Sequence, residues 1–310
     1  MIIWAGGWTR GSERWIPSCA GMTVEKRPTR AAILRFAMII DTHAHIYSPD
    51  KTAYPTIEDP YTPPPGTGDP DHLRAEMAKA GVDRACLIQT STFYRWDNSF
   101  TRDTSAGATD WAAGVCTLDP DNVHSPEIMY ALVERANIKG MRTVPAADGS
   151  LDHPGVRALW AQAQDLGIVI NALVPLGVAE QLARMLDDYP GLNVVLDHCM
   201  SLSRGPEFEA TVATVVELAR RPNLHAKLTF LGTGSAERYP FTDMHEPLRM
   251  FVDAYGPDRC VWGSDFPTEL WCPRVNYSDH LTLFQEDLGL TAGEKESILG
   301  GTAERLWFGG

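Results

Sequence analysis

The sequence lacks the features that mark several large classes of protein. No apolar run approaches the ~18–20 residues that a membrane-spanning helix requires, so we expect no membrane association. Lys and Arg number 27 against 40 Asp and Glu, a net charge of −13. Because phosphate recognition needs a basic surface, this balance argues against nucleic-acid binding. It does not argue against a small anionic substrate, since a few local Arg or Lys residues can outweigh the global charge.

Cysteine is also scarce, with 6 residues in 310 and no C-x-x-C pair. Cys86, Cys116 and Cys260 stand in apolar runs, where a free thiol behaves as a small hydrophobic side chain. We therefore predict a reduced, cytoplasmic protein without a disulfide framework.

Residues 1–37 differ from the rest of the chain. They are rich in Trp, Gly and Arg and show no clean periodicity, and they contain no continuous apolar segment of the kind found in a signal peptide. We interpret them as a disordered N-terminal extension or a mis-assigned start, with Met38 as the natural first residue. The predicted folded domain is then residues 38–310.

From Met38 onward, short apolar runs alternate with helical patterns. Continuous apolar runs are typical of parallel strands that are buried on both faces. The predicted strands are residues 38–41, 84–89, 113–118, 138–143, 168–174, 193–197, 224–229 and 260–263.

The helical segments between these runs carry recognisable end signals. One ends at Gly81, and the last begins with the capping box Thr291-Ala-Gly-Glu294. This rhythm predicts a single-domain (β/α)₈ TIM barrel. The alternative is a doubly wound open sheet, which usually has a Gly-rich phosphate turn after its first strand, and this sequence has none there. The predicted helices include residues 71–80, 154–166, 178–189, 206–220, 246–255, 278–288 and 291–307.

Functional side chains of a barrel lie at the carboxyl ends of its strands. His43 and His45 follow the first run and face the same side, His198 follows the sixth and Asp265 the eighth. Three imidazoles and a carboxylate are a ligand set for Zn²⁺ or a similar ion. Without a metal, the same groups can donate hydrogen bonds to a carbonyl and take a proton from water. The structural alternatives are a satisfied core histidine for His198 and a loop cap for Asp265.

Two basic residues also stand in predicted strands, near their carboxyl ends. Arg142 closes the fourth and Lys227 lies in the seventh. Either can bind a substrate carboxylate, Arg142 through its bidentate fork. The alternatives are a structural ion pair for Arg142 and a surface salt bridge for Lys227.

Five motifs in order resemble the amidohydrolase superfamily, and more narrowly its lactonase-like branch of pyrone-dicarboxylate, sulfomuconolactone and sugar-lactone hydrolases. They are Asp-Thr-His-Ala-His (41–45), Lys-Gly-Met-Arg (139–142), Leu-Asp-His-Cys (196–199), His-Ala-Lys-Leu-Thr (225–229) and Trp-Gly-Ser-Asp-Phe-Pro (262–267). The segment Tyr94-Arg-Trp-Asp-Asn98 is similar to a turn of that branch, which makes Tyr94 and Asn98 candidate substrate-binding residues.

The resemblance implies a barrel that hydrolyses a small ester-like or amide-like bond. It assigns His43, His45 and His198 to the metal or carbonyl and Asp265 to the activation of water. Relatives hold acidic substrates at the positions of Arg142 and Lys227. Lys139 lies too early in its strand to be the carboxylated lysine of dinuclear members, so a single divalent ion, zinc or manganese, or a metal-free mode is expected.

We therefore predict a hydrolase of a small, carboxylated lactone or related ester or amide. The alternatives are a metal-dependent decarboxylase of an aromatic or enoic acid, a lactone isomerase and a non-enzymatic binding scaffold. A homo-oligomer is compatible with the sequence.

Overall fold

The computed structural model describes residues 38–309, and the interpretation of residues 1–37 lies outside this range. Its centre is one sheet of eight parallel strands in the order β1 to β8. The strands are β1 Ile40–Ala44, β2 Arg84–Ile88, β3 Ala112–Thr117, β4 Ile138–Thr143, β5 Val169–Ala172, β6 Val194–Leu196, β7 Leu224–Lys227 and β8 Cys260–Val261.

The first and last strands meet and nearly close the sheet. Ala44 forms a parallel bridge with Phe266, just beyond β8. The Thr42 amide donates to the Trp262 carbonyl at 3.1 Å, and the His45 amide donates to the Phe266 carbonyl at 2.8 Å. The predicted (β/α)₈ barrel is therefore confirmed.

Strand β1 differs from its predicted bounds. It runs from Ile40 to Ala44 instead of residues 38–41 and therefore contains His43. Its register against β2 shifts between Asp41 and Ala44. This irregularity lets Ile40 join the apolar cluster that also contains Val115 and Val261, while His43 contacts the polar residues at the strand ends.

The helices lie between the strands. The 154–166 prediction is confirmed without change, and so is the capping box at Thr291. The last predicted helix is wrong in part, because the α-helix ends at Glu296 and the chain continues as π-helical turns. The helices are α1 Pro70–Ala80, α2 Ser91–Tyr94, α3 Ser99–Gly107, α4 Ser125–Arg135, α5 Pro154–Leu166, α6 Ala179–Asp188, α7 Phe208–Leu218, α8 Phe230–Gly234, α9 His245–Tyr255, α10 Thr268–Trp271, α11 Tyr277–Thr282 and α12 Ala292–Glu296.

Two apolar layers hold the barrel together. The larger packs the outer strand faces against the helices, and a smaller cluster includes Ile40, Val115 and Val261 with Trp307. The Trp307 ring lies against Gly140 of β4, where an added Cβ would come within 3.2 Å of the indole nitrogen. The C-terminal turns therefore pack against the strands. Within residues 38–309, no helix is both long and apolar enough to cross a bilayer.

Candidate active site

The paired histidines of β1 lie next to each other, as their spacing predicts. Their ring centroids are 5.0 Å apart, and both side chains are buried. His45 Nδ1 lies 3.0 Å from the Ile88 carbonyl, a partner that can only accept. This contact fixes the proton on Nδ1 and leaves the lone pair on Nε2, the arrangement that suits a metal ligand.

Asp265 and His198 both stand on left-handed backbone, with φ of 60° and 52°. Asp265 Oδ1 lies 3.5 Å from His43 Nε2, and Asp265 Oδ2 lies 3.9 Å from His198 Nδ1. The rings of His43 and His198 are 4.5 Å apart. The four residues predicted from the strand ends are thus brought together.

Gly263 makes room for this arrangement. A Cβ at this position would lie 2.7 Å from the Cβ of His43 and 2.9 Å from a methyl carbon of Thr229. Any side chain would push β8 away from β1. The glycine therefore permits the close approach that places Asp265 beside His43.

A buried ion-pair network lies beside the histidines, with Asp197 at its centre. Lys227 Nζ lies 2.8 Å from Asp197 Oδ1, and Arg142 Nη2 lies 3.1 Å from Oδ2. The Asn171 amide donates to the same carboxylate at 3.4 Å. Burial alone would raise the pKa of Asp197, but Lys227 and Arg142 outweigh it and hold that pKa well below its usual range.

This network corrects the predicted role of Lys227. Its ammonium is fully buried and already contacts Asp197, the Thr42 carbonyl at 3.0 Å and His43 Nδ1 at 3.2 Å. Because the ammonium is wholly inaccessible to solvent among these partners, a substrate carboxylate cannot reach it. A surface salt bridge is also wrong, because the ion pair is internal.

Arg142 binds Asp197 and also contacts His43. Its Nη2 lies 2.9 Å from His43 Nε2. Lys227 and Arg142 can only donate, and each faces one ring nitrogen of His43. Burial lowers the pKa of His43 well below its usual value, and Lys227 lowers it further. The ring is therefore neutral and can accept from only one of the two cations.

Tyr94 and Asn98 have structural roles in the loop after β2. The Tyr94 hydroxyl accepts from the Ser48 amide at 2.7 Å. The Asn98 side chain donates to the Thr117 carbonyl and accepts from the Thr117 amide, both at 2.9 Å. Main-chain groups thus bind both the nitrogen and the oxygen of the Asn98 side chain. This corrects the predicted substrate-binding role of Asn98.

Three residues of the site were not singled out from the sequence. Thr229 Oγ1 lies 2.6 Å from His198 Nδ1, and Asn171 contacts Asp197. Asp41 accepts from the His43 amide at 2.9 Å. Two of them stand inside the quoted motifs, Asp41 two residues before His43 and Thr229 two after Lys227. Asn171 has no such signal, because only the fold brings β5 next to β6.

The donor set fits a divalent ion. One ligand atom each from His43, His45 and Asp265 lies within 4.8 Å of the others. Two imidazoles and a carboxylate are ordinary ligands for zinc. Arg142 would have to withdraw from His43 Nε2 for that nitrogen to become a ligand. His198 is not in this group, and its Nδ1 already contacts Thr229.

A cavity of about 260 Å³ opens beside these groups, and we call it the mouth cavity. Burial raises the pKa of Asp265, while His198 opposes the rise. A carboxylate with a raised pKa is a stronger base than an ordinary one and reaches the cavity directly. The cavity is lined by His198, Ser201, Leu202, Ser203, Thr233, Gly234 and Asp265.

Comparisons with known proteins agree with the resemblance found in the sequence. The model of the amidohydrolase family matches residues 40–309. An L-fucono-1,5-lactonase of Burkholderia ambifaria is 26% identical over 239 residues, covering 74% of this chain and 80% of the relative. A 4-sulfomuconolactone hydrolase of Rhizobium radiobacter is 25% identical, covering 81% of this chain and 82% of the relative.

Solved structures share the fold. A probable 2-pyrone-4,6-dicarboxylic acid hydrolase of Acinetobacter baumannii, solved with citric acid bound, superposes with a TM-score of 0.74 at 18% identity, over 87% of this chain and 98% of that one. An amidohydrolase of Burkholderia multivorans, solved with zinc bound, gives a TM-score of 0.70 at 23% identity, over 87% of this chain and 99% of that one.

Proposed function

The chain belongs to the amidohydrolase family and is a hydrolase, and from that premise we propose that it opens a small lactone that carries a carboxylate. One observation carries the proposal. The Asp265 carboxylate, whose pKa is raised by burial, faces both His43 and His198 at the mouth cavity. Relatives that are lactonases and lactone hydrolases support the reaction class.

Asp265 is the general base in this proposal. It takes a proton from a water molecule, whose oxygen then attacks the lactone carbonyl carbon. The ring C–O bond breaks as the tetrahedral intermediate collapses, and Asp265 returns the proton to the leaving oxygen. The products are an alcohol and a carboxylic acid on the same molecule, and the acid then releases its proton to solvent to give the carboxylate.

The neighbouring side chains polarise and orient the lactone. Thr229 donates to His198 Nδ1 in this proposal, which places the ring proton on Nε2, and Nε2 then donates to the carbonyl oxygen. Arg142 keeps one terminal nitrogen beyond its contacts with Asp197 and His43, and this nitrogen can hold the substrate carboxylate. Lys227 supports Asp197 and does not touch the substrate.

His43, His45 and Asp265 would hold a metal ion, zinc or manganese, which would polarise the carbonyl or acidify water when bound. A metal-free mode remains the alternative, and elemental analysis of the purified protein decides between them. We also propose a cytoplasmic location, in keeping with the free thiols Cys86, Cys116, Cys199, Cys260 and Cys272. A homo-oligomer stays a prediction.

Asp265→Asn tests the function. With δ-lactones that do or do not carry a ring carboxylate, we expect a wild-type preference for the anionic substrates. The variant should keep the fold by circular dichroism and lose about 10³-fold in kcat, because a positioned base contributes roughly 10²–10⁴. The exposed Asp110→Asn is the matched control and should retain full activity.

The same assay separates the alternative reactions. Hydrolysis places oxygen from ¹⁸O-labelled water in the product, whereas isomerisation consumes no net water. Release of carbon dioxide from an aromatic or enoic acid would indicate a decarboxylase. Turnover that survives in Asp265→Asn would refute the assigned base.

A further inference from the structure

A second and larger cavity adjoins the mouth cavity, and we call it the side groove. Its volume is about 590 Å³. Ser201 and Ser203 line both cavities, so the two share a wall. The side groove is lined by Leu173, Val174, Pro175, Leu176, Met200, Ser201, Ser203, Arg204, Gly205, Pro206, Glu207 and Thr211.

The shared wall is built by an unusual turn. His198, Cys199, Met200 and Ser201 have φ of 52°, 47°, 61° and 54°, and the Leu202 amide donates to the His198 carbonyl. Successive left-handed residues without glycine are unfavourable and occur where the surroundings impose them, commonly at functional sites. With this turn, His198 lines the mouth cavity and Met200 lines the side groove.

One part of the lining of the side groove is apolar. Val174 and Met200 are buried, and Leu173 and Leu176 are half-buried beside them. Leu173 and Leu176 are still partly exposed, so an apolar occupant in contact with them would remove further apolar area from water.

The charged residues of the side groove argue against an anionic occupant. The Arg204 guanidinium bonds to Asp243 at 3.3 Å and stacks over the Phe208 ring at 3.8 Å, so its charge is already engaged. Glu207 is exposed at the rim and repels anions. The substrate carboxylate therefore belongs near Arg142, and the side groove suits an uncharged group.

We propose that the side groove holds an uncharged, mainly apolar substituent of the lactone ring. The inference rests on the proposed function. In that function the lactone ring lies in the mouth cavity, and the substituent on the ring lies in the side groove. The substrate class then narrows to lactones that carry both a carboxylate and a neutral side chain. Leu176, Met200 and Ser203 are the residues that set the preference for this side chain.

A homologous series tests the proposal. The lactone that the wild-type protein opens fastest is extended with linear alkyl groups of two to eight carbons. We expect kcat/KM to rise roughly fourfold per added methylene until the groove is filled, as burial of each CH₂ predicts. A flat or falling dependence would overturn the assignment.

Two variants fill the groove. Leu176→Trp and the solvent-exposed Ser203→Trp should each bring the ratio of long-chain to parent kcat/KM to about one. Ile128→Trp, on the exposed face of α4, is the control and should leave that ratio at the wild-type value. An unchanged ratio in both groove variants would contradict the proposal.

Binding of unreactive lactams with the same alkyl series, measured by calorimetry, gives a readout without turnover. If no lactone is opened, the proposed function fails. The lactam series then tests by itself whether the side groove binds an apolar substituent. Affinity that grows with chain length in the wild type and not in Leu176→Trp supports the groove. Affinity independent of chain length refutes it.

Discussion

At the scale of single residues, the carboxylate of Asp197 compensates two buried cations. Lys227 is wholly inaccessible to solvent and Arg142 nearly so. Taking such charges out of water is costly, and only close, hydrogen-bonded partners offset the cost. The contacts at 2.8 and 3.1 Å supply that compensation. Asp197 therefore governs both the stability of the barrel and the position of the cations around His43.

Replacing Asp197 by Asn should destabilise the protein strongly. The substitution keeps the shape but leaves Lys227 and Arg142 without a countercharge, which costs about 3–5 kcal/mol. Denaturant unfolding at pH 7.5 measures the change. Glu217→Gln, which breaks the exposed pair with Arg220, is the control and should cost less than about 1 kcal/mol. A similar small loss for Asp197→Asn would contradict the role of the network.

At the scale of elements, the contact between β1 and β8 determines the geometry of the site. Asp41 is buried and accepts from the Ser264 amide at 2.9 Å, the Ser264 hydroxyl at 2.5 Å and the Tyr277 hydroxyl at 3.0 Å. The same carboxylate accepts from the His43 amide. It thus joins the segment that carries His43 to the segment that carries Asp265.

Asp41→Asn should lower kcat with little change in KM. The amide nitrogen that replaces Oδ2 cannot accept from the Ser264 hydroxyl, so Asp265 shifts relative to His43, and small misplacements of reacting groups cost about 10²-fold. Steady-state kinetics on the best lactone separate the two constants. Tyr277→Phe removes one donor from the same carboxylate and should lower kcat less than about threefold. Equal losses in kcat and 1/KM would indicate general damage instead.

The sequence predicts elements well where they follow a local rule. The bounds of α5 follow from Pro154 and the glycine after Leu166, and the capping box at Thr291 forms as expected. The turn at His198–Ser201 has no local signal, because nothing in its residues favours left-handed backbone. The partners of Asp197 come from β4, β5 and β7, and only the closed sheet shows which of them meet.

At the scale of the whole molecule, two histidines outside the site couple folding to pH. His280 is fully buried, and burial lowers its pKa to about 4. Burial likewise lowers the pKa of His225 to about 4, with a contact to the Val194 carbonyl opposing the shift. The unfolded chain binds these protons near pH 6.5 and the folded chain does not. Between pH 4 and 6.5 the unfolded state therefore holds more protons, and stability rises with pH.

The free energy of unfolding should be constant above about pH 6.5 with respect to these groups and fall below it. Each histidine contributes a slope of up to about 1.4 kcal/mol per pH unit and a loss of roughly 3 kcal/mol by pH 4, so the two together lose about 6 kcal/mol. His280→Gln keeps an acceptor for the Trp262 indole, which donates to His280 at 3.1 Å, but does not titrate. Urea unfolding at half-unit steps from pH 4.5 to 7.5 should show a shallower slope in the variant, by about one proton. Identical slopes would mean that His280 is already protonated in the folded state, against its burial.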